Sequence, residues 1–261
     1  MSALIQKWAL ITGASAGIGA EFARQLAGEG YSLLLVARRE QRLNELKAEL
    51  EDKASVVVFT ADLSDRNSVT LLEKFCEHEN IQFDLVVNNA GFGTCGKFLD
   101  LDIDRELQMI DLNIRAMTEI CYRFTLPMVR RGRGCILIVA SCGGFQPGPG
   151  MNTYFATKGF DLHFAEALDE ELNGTGVSCK VLCPGPTSTE FFEVAGAKTL
   201  KATPIPSMQV EKVVSYTLKK LRSRQRIIIP GILNKIAARI YRFLPRSWIT
   251  TALGKILLHR T

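Results

Sequence analysis

Seven short, apolar, β-branched runs recur along the chain: WALIT (8–12), SLLLVA (32–37), SVVVF (55–59), DLVVN (84–88), CILIVA (135–140), VSCKVLC (177–183) and RIIIP (226–230). Each is nearly continuous in hydrophobicity rather than alternating, as expected of strands buried on both faces. Between them apolar positions return every three or four residues, which predicts helices. These are AEFARQLAGEG, closed by a glycine suited to a C-cap, then REQRLNELKAELEDK, NSVTLLEKFCEHE, RELQMIDLNIRAMTEICYRFTLPMVRRG, YFATKGFDLHFAEALDEEL and QVEKVVSYTLKKLR. Strands alternating with helices imply right-handed crossovers and one doubly wound α/β domain, a Rossmann-type parallel sheet of seven strands within residues 1–230. In such a sheet ligands bind beyond the carboxyl ends of the strands, so chemistry is expected just after each strand.

After the last strand the pattern changes, and residues 231–261 form a basic, helical extension. In ILNKIAARIYRFL, Lys235, Arg239 and Arg242 share one helical face, and Leu233, Ile236, Ile240, Phe243 and Leu244 share another. Beyond Pro245, Trp248, Ile249, Ala252, Leu253, Ile256 and Leu257 resume the rhythm, which predicts two amphipathic helices separated by a proline break.

Charge sharpens the division. The chain carries 32 Lys/Arg against 27 Asp/Glu, but 12 of the basic residues and none of the acidic ones lie from Lys212 onward, which leaves residues 1–211 with a net charge of −7. Basic helices with apolar counterfaces can lie in a membrane interface, here through residues 232–258, with each Lys or Arg near an anionic leaflet contributing about 1 kcal/mol. They can also pack on the acidic body, cover the cleft or form a dimer interface.

With 47% apolar and 23% charged residues, the chain can bury a full core, and no linker, repeat or low-complexity run divides it. The N-terminus runs straight into a strand-like segment without the features of a signal peptide, and no apolar run approaches the ~18 residues a membrane span needs. Seven cysteines form an odd set without CxxC pairs, which suits a reducing cytosol and argues against a disulfide framework or a zinc site. The expectation is therefore a cytoplasmic protein, with peripheral contact on the inner face of a membrane as the alternative, and with neither a metal nor a nucleic-acid partner.

The first strand is followed by Thr12-Gly13-Ala14-Ser15-Ala16-Gly17-Ile18-Gly19. Glycines at this spacing permit a tight turn and close backbone approach to a pyrophosphate, and the helix beginning near Ile18 offers free N–H groups and a positive dipole end. The second strand ends in Val36-Ala37-Arg38-Arg39, where a carboxylate would be expected to hold a ribose 2′-hydroxyl. Arginine suits a 2′-phosphate instead, so NADP(H) is predicted as cofactor, with Arg38 as the first choice of ligand and Arg39 as the second.

Tyr154 and Lys158 lie four residues apart on a predicted helix and so share a face. Bringing a phenol from ~10 towards ~7 requires about 4 kcal/mol of differential stabilisation. One ammonium at ~4 Å, at an effective dielectric constant of ~20, supplies about that much. Such a phenol can exchange a proton with a carbonyl or alcohol oxygen. Ser141, at the end of the fifth strand, can hydrogen-bond the same oxygen.

At these residues the chain resembles the short-chain dehydrogenase/reductase family, over residues 6 to 230. The likeness rests on TGASAGIG, Asp62-Leu63 after the third strand, Asn88-Asn89-Ala90-Gly91 after the fourth, and Asn113 in LNIRA. Ser141, Tyr154-x-x-x-Lys158 and Pro184-Gly185-Pro186-Thr187-Ser188-Thr189 complete it. It implies that Tyr154 is the general acid/base, that Lys158 lowers its pKa and bonds the nicotinamide ribose, and that Ser141 anchors the substrate oxygen. Asn113 would position a relay water. Gly13, Ser15 to Gly19, Asp62, Leu63, Asn89 to Gly91, Pro184, Gly185, Thr187 and Thr189 would line the cofactor, with Asp62 at the adenine edge. The overall look of the chain is similar to the branch with 3-oxoacyl reductases and hydroxysteroid dehydrogenases. It implies a homo-oligomer acting on a fatty-acyl or steroid-like carbonyl.

Phe92, Phe145, Pro147, Met151, Phe155, Phe191 and Phe192 are expected near the substrate, with Phe155 leaning towards core. Cys142 reads as a small buried filler. A rival reading keeps the fold as a catalytically silent NADP-binding regulatory or scaffold protein. Epimerase or dehydratase chemistry on a related fold fits the glycine spacing less well.

Overall fold

The computed structural model describes residues 6–196, 206–240 and 243–258. Predicted strands and helices appear in the expected alternation. β1 (Lys7–Thr12) leads through α1 (Gly17–Gly28) to β2 (Tyr31–Ala37), and α2 (Glu40–Leu50) leads to β3 (Val56–Thr60). α3 (Ser68–His78) and β4 (Phe83–Asn88) follow, then α4 (Ile103–Ile110), α5 (Met117–Arg131) and β5 (Gly134–Val139). The second half comprises α6 (Asn152–Glu171), β6 (Val177–Leu182), α7 (Phe191–Val194), α8 (Val210–Leu221), β7 (Ile227–Ile228), α9 (Ile232–Ile240) and α10 (Arg246–Leu258). Arg242, assigned above to the basic face of the extension, lies outside the described residues.

All seven strands are parallel in the order β3-β2-β1-β4-β5-β6-β7, so the sheet reverses its direction of winding between β1 and β4. The continuous apolar runs follow from the two-sided core. Leu10, Leu34, Val86 and Ile136 enter the cluster under α3, α5 and α6, whereas their neighbours Ile11, Leu35, Val87 and Leu137 enter the cluster under α1, α2 and α8. Successive side chains of a strand point to opposite faces, so every position needs an apolar residue.

Two departures from the sequence pattern matter. The long helix expected from Arg105 to Gly132 is interrupted by a π-helical segment, Asp111–Ala116, between α4 and α5. Such widened turns frequently mark functional positions, and this one carries Asn113. The last strand, expected over residues 226–230, pairs with β6 through only Ile227 and Ile228.

The extension departs further. On α9 the buried residues are Asn234 and Ala238, four apart, not the apolar set singled out above. Leu233, Ile236 and Ile240 remain about half exposed, and Ile232 is 75% exposed. α10 buries Ile249 and Leu257 but leaves Trp248 70% exposed.

Candidate active site

The phosphate turn is fixed from behind. Thr12 Oγ1 accepts hydrogen bonds from the backbone N–H groups of Asn89 and Ala90, each at 2.9 Å, and Asn89 Nδ2 donates to Thr12 O at 2.9 Å. Asn89 therefore braces the turn from β4. Gly13 and Gly17 have φ values of +65° and +54°, a region that favours glycine. A side chain at Gly19 would begin 2.4 Å from Gly13 O, so Gly19 serves close packing behind the turn, while Gly13, Ser15, Ala16, Gly17 and Ile18 face the cavity. At the start of α1, Ala16 supplies no side-chain cap and the first turn contains no acidic residue. The open N–H groups and bare glycine backbone fit a pyrophosphate.

At the end of β2 both arginines reach the cavity wall. Arg38 pairs with Asp62 Oδ2 at 3.4 Å. Arg39 Nε donates to Ser15 Oγ at 3.1 Å, and its Nη1 meets Glu190 at 3.0 Å, so Arg39 touches the phosphate turn itself. Burial pushes the Asp62 carboxyl up, but hydrogen bonds from Ser64 and the charge of Arg38 outweigh it and hold the group below its ordinary value. Leu63, Asn89, Ala90 and Gly91 complete this end of the wall.

Ser141 follows β5, and its Oγ accepts from Gly143 N at 3.0 Å, at the start of a short 3-10 turn. Tyr154 and Lys158 lie on one buried face of α6, and the Ser141 hydroxyl acts on the phenol to lower its pKa. Lys158 Nζ donates to Val139 O at 2.9 Å. Asn113 is fully buried in polar company: its Nδ2 donates to Phe92 O and to Thr157 Oγ1, each at 3.0 Å, and its Oδ1 accepts from Phe92 N at 3.2 Å. A side chain at Gly91 would begin 3.0 Å from Asn113 Oδ1 and 3.6 Å from Lys158 Nζ, so the absence of one leaves a gap on which both atoms converge. Pro184, Gly185, Thr187 and Thr189 line the cavity beyond β6, with Thr187 Oγ1 bonded to Gly185 O at 3.0 Å.

In the protein alone burial holds the Tyr154 phenol above its ordinary value, although Lys158 acts in the expected direction and lowers it. Burial is the largest cause; Lys158 and Ser141 oppose it, and a carboxylate absent from the sequence reading, Asp161, reinforces it. Asp161 Oδ2 accepts from Lys158 Nζ at 2.8 Å. Its position three residues beyond Lys158, on the same helical face, was the available signal.

A single cavity of about 540 Å³ connects these parts. Phe92, Phe145, Met151, Phe155, Phe191 and Phe192 line it as expected of a substrate wall; Pro147 does not. Phe155, read above as core, serves both purposes, since its ring also fills the space beside Gly143 and Gly148. Cys142, expected as a buried filler, is only partly buried and lines the cavity; it donates its thiol to Cys183 O, and burial pushes its pKa up to about 12. The extension walls part of the cavity: α9 contributes Asn234, Ala237 and Ala238, and α10 contributes Leu253, Ile256 and Leu257. Asn234 packs directly on Gly185, where a side chain would begin 2.2 Å from its Oδ1. Among the described residues no helix is long and apolar enough to cross a membrane.

Comparison with known proteins agrees with this construction. The family model for short chain dehydrogenases matches residues 7–199. Sulfoacetaldehyde reductase 2 of Chromohalobacter salexigens is 32% identical over 218 residues, covering 80% of this chain and 86% of the relative. Very-long-chain 3-oxoacyl-CoA reductase-B of Danio rerio is 32% identical over 215 residues, covering 80% and 68%. A short-chain dehydrogenase from Sphingobium yanoikuyae, solved with NADPH, superimposes with a TM-score of 0.83 at 32% identity, covering 95% of this chain and 94% of the other. The chain belongs to the short-chain dehydrogenase/reductase family of oxidoreductases, whose fold binds a nicotinamide cofactor.

Proposed function

We propose that this protein reduces a carbonyl group on a bulky, hydrophobic substrate of fatty-acyl or steroid-like character, with NADPH as donor. The observation that carries the reading is the position of Ser141, Tyr154 and Lys158 within one cavity that has a glycine cradle and two arginines at one end and an aromatic wall at the other. Bound NADPH supplies the hydride. Ser141 and Tyr154 hold the substrate oxygen, and the phenol donates its proton there. Lys158 bonds the nicotinamide ribose, and a relay water fits the gap beside Gly91 where Asn113 Oδ1 and Lys158 Nζ converge. Arg38 and Arg39 take the 2′-phosphate.

The relatives' names range from a small sulfonated aldehyde to a long acyl thioester, so kinship leaves the substrate open. The apolar lining from α6, α7 and α10 favours the larger class. The test is a panel of carbonyl compounds with NADPH and NADH, run beside Arg38→Ala and Arg39→Ala. Turnover of bulky ketones with NADPH, and loss of NADPH preference in an arginine variant, are expected. Equal use of both cofactors by all three proteins would remove the NADPH assignment, and turnover of small polar aldehydes alone would remove the substrate class.

Two further assignments accompany this one, both for a cytoplasmic protein. Exposed Leu99 before α4, Ile103, Leu107 and Ile110 on α4, and Tyr122 on α5 support a homo-oligomer, which light scattering would report; a monomer at micromolar concentration would contradict it. Exposed Ile232, Leu233, Ile236 and Trp248, beside Lys235 and Arg239, support peripheral contact with an anionic bilayer through residues 232–258. Sedimentation with anionic vesicles should bring down the full chain but not a chain ending at Gly231; equal sedimentation of both would exclude it.

A further inference from the structure

Resting on the reading of Tyr154 as the proton donor, we infer that Asp161 is a positioning residue that neutralises Lys158 and so holds the Tyr154 phenol in its protonated form, biasing the site towards carbonyl reduction. Tyr154, Lys158 and Asp161 follow one another at intervals of four and three along α6 and share its inward face, with Lys158 5% and Asp161 1% exposed. Two of the three ammonium protons are committed, to Asp161 Oδ2 at 2.8 Å and to Val139 O at 2.9 Å, which leaves one for the cleft. Asp161 Oδ1 is buried without a hydrogen-bond partner. The lysine is therefore the carboxylate's ionic partner, and the carboxylate in turn offsets part of the lysine's effect on the phenol.

Charge balance gives the consequence. With the phenol protonated, the trio of Tyr154, Lys158 and Asp161 carries no net charge; ionising the phenol places one uncompensated negative charge in a buried site. Without Asp161 the balance is inverted, because a lone ammonium is neutralised by phenolate. Burial resists uncompensated charge in either case. The remaining titratable groups that face the trio do not alter the count. They are the thiols of Cys121 from α5, Cys142 after β5 and Cys183 after β6, with Glu166 further along α6 acting on Cys183. Burial pushes Cys121 and Cys142 up to about 12 and Cys183 well above its ordinary value, so all three stay neutral. The Asn88 amide on Cys121 and the Ser141 hydroxyl on Tyr154 carry no charge.

A residue that donates a proton to a carbonyl works best while it holds that proton; one that accepts from an alcohol works best without it. A neutralised lysine thus extends the pH range of reduction upward and makes the oxidative direction depend on alkaline conditions.

The test is an ultraviolet phenolate titration of the full chain, wild type and Asp161→Asn, each referenced to the same protein carrying Tyr154→Phe so that one of the five tyrosines is isolated. The wild-type midpoint is expected above the ordinary ~10, and Asp161→Asn is expected to lower it by about one unit or more. Asp161→Glu should restore it. The alkaline limit of NADPH-driven reduction should move down with the midpoint. An unmoved or raised midpoint in Asp161→Asn overturns the inference. So does a wild-type midpoint below ~9, a measurement that needs no variant at position 161 to fold. Failure of every carbonyl to oxidise NADPH would defeat the proposed reaction while leaving the phenol's midpoint, and the role of Asp161 in setting it, standing.

Discussion

Helices α6 and α9 both wall the cavity, and each carries a pair four residues apart that includes a basic residue: Tyr154 and Lys158 on one, Lys235 and Arg239 on the other. On α6 that pair is buried. On α9 the inward residues are Asn234 and Ala238, while Lys235 Nζ reaches the Tyr216 hydroxyl at 2.8 Å at the edge of α8. Helical spacing tells which residues share a face, and only the tertiary context decides which face turns inward. For α6 the context is legible, because a crossover between two parallel strands must cover the sheet. α9 follows the last strand and returns to none, so its small residues fit against Gly185 and its apolar face stays outside.

The comparison breaks most visibly under one chemical change made on both helices. Lys158→Met strands Asp161 in the core and should destabilise the protein by about 3–5 kcal/mol, with Asp161→Leu in the same chain recovering most of it. Lys235→Met should cost no more than about 0.5 kcal/mol. Denaturant unfolding measures both, and equal losses would erase the distinction between the helices.

A smaller effect tests how α9 sits. Gly185→Ala drives a methyl group into Asn234 and should cost about 1–3 kcal/mol. Asn234→Ala in the same chain should relieve part of that cost. Strict additivity in the double-mutant cycle would mean that α9 does not lie on Gly185.

Alkaline stability sharpens the contrast from the side of the body. Burial pushes the thiols of Cys76, Cys121 and Cys142 from 9.0 up to about 12. Between those values the unfolded chain loses these protons and the folded chain keeps them, so the folded state binds more protons and stability falls as pH rises. Each thiol contributes a slope of up to about 1.4 kcal/mol per pH unit. Cys121→Ala should flatten the fall in Tm between pH 9 and pH 11. A chain ending at Gly231 should keep the same slope, since no cysteine lies beyond that residue. Smallest of all, Leu233→Ser and Ile236→Ser should each change stability by less than about 0.5 kcal/mol, although both are apolar residues on a helix.

These contrasts also mark how far the sequence could be read. The seven strands were legible because burial on both faces demands unbroken apolar runs, and the glycine turn because its spacing follows β1 and opens α1. The short extent of β7 was not, since RIIIP is as apolar as the longer strands and only its pairing with the end of β6 limits it. The π-helical turn at Asn113 left no mark in a periodicity averaged over many residues. Arg39 ranked behind Arg38 from its place after β2, yet its hydrogen bond with Ser15 brings it against the phosphate turn. Asp161 was overlooked because an acidic residue on a helix is ordinarily a solvated one, whereas here it is buried and paired with Lys158.

The measurement that bears most directly on the proton-donor assignment is single-turnover oxidation of bound NADPH by a bulky ketone in wild type and Tyr154→Phe. The account predicts unchanged NADPH affinity and a rate lowered by about 10²- to 10⁴-fold when the hydroxyl is removed. An undiminished rate in Tyr154→Phe would contradict it.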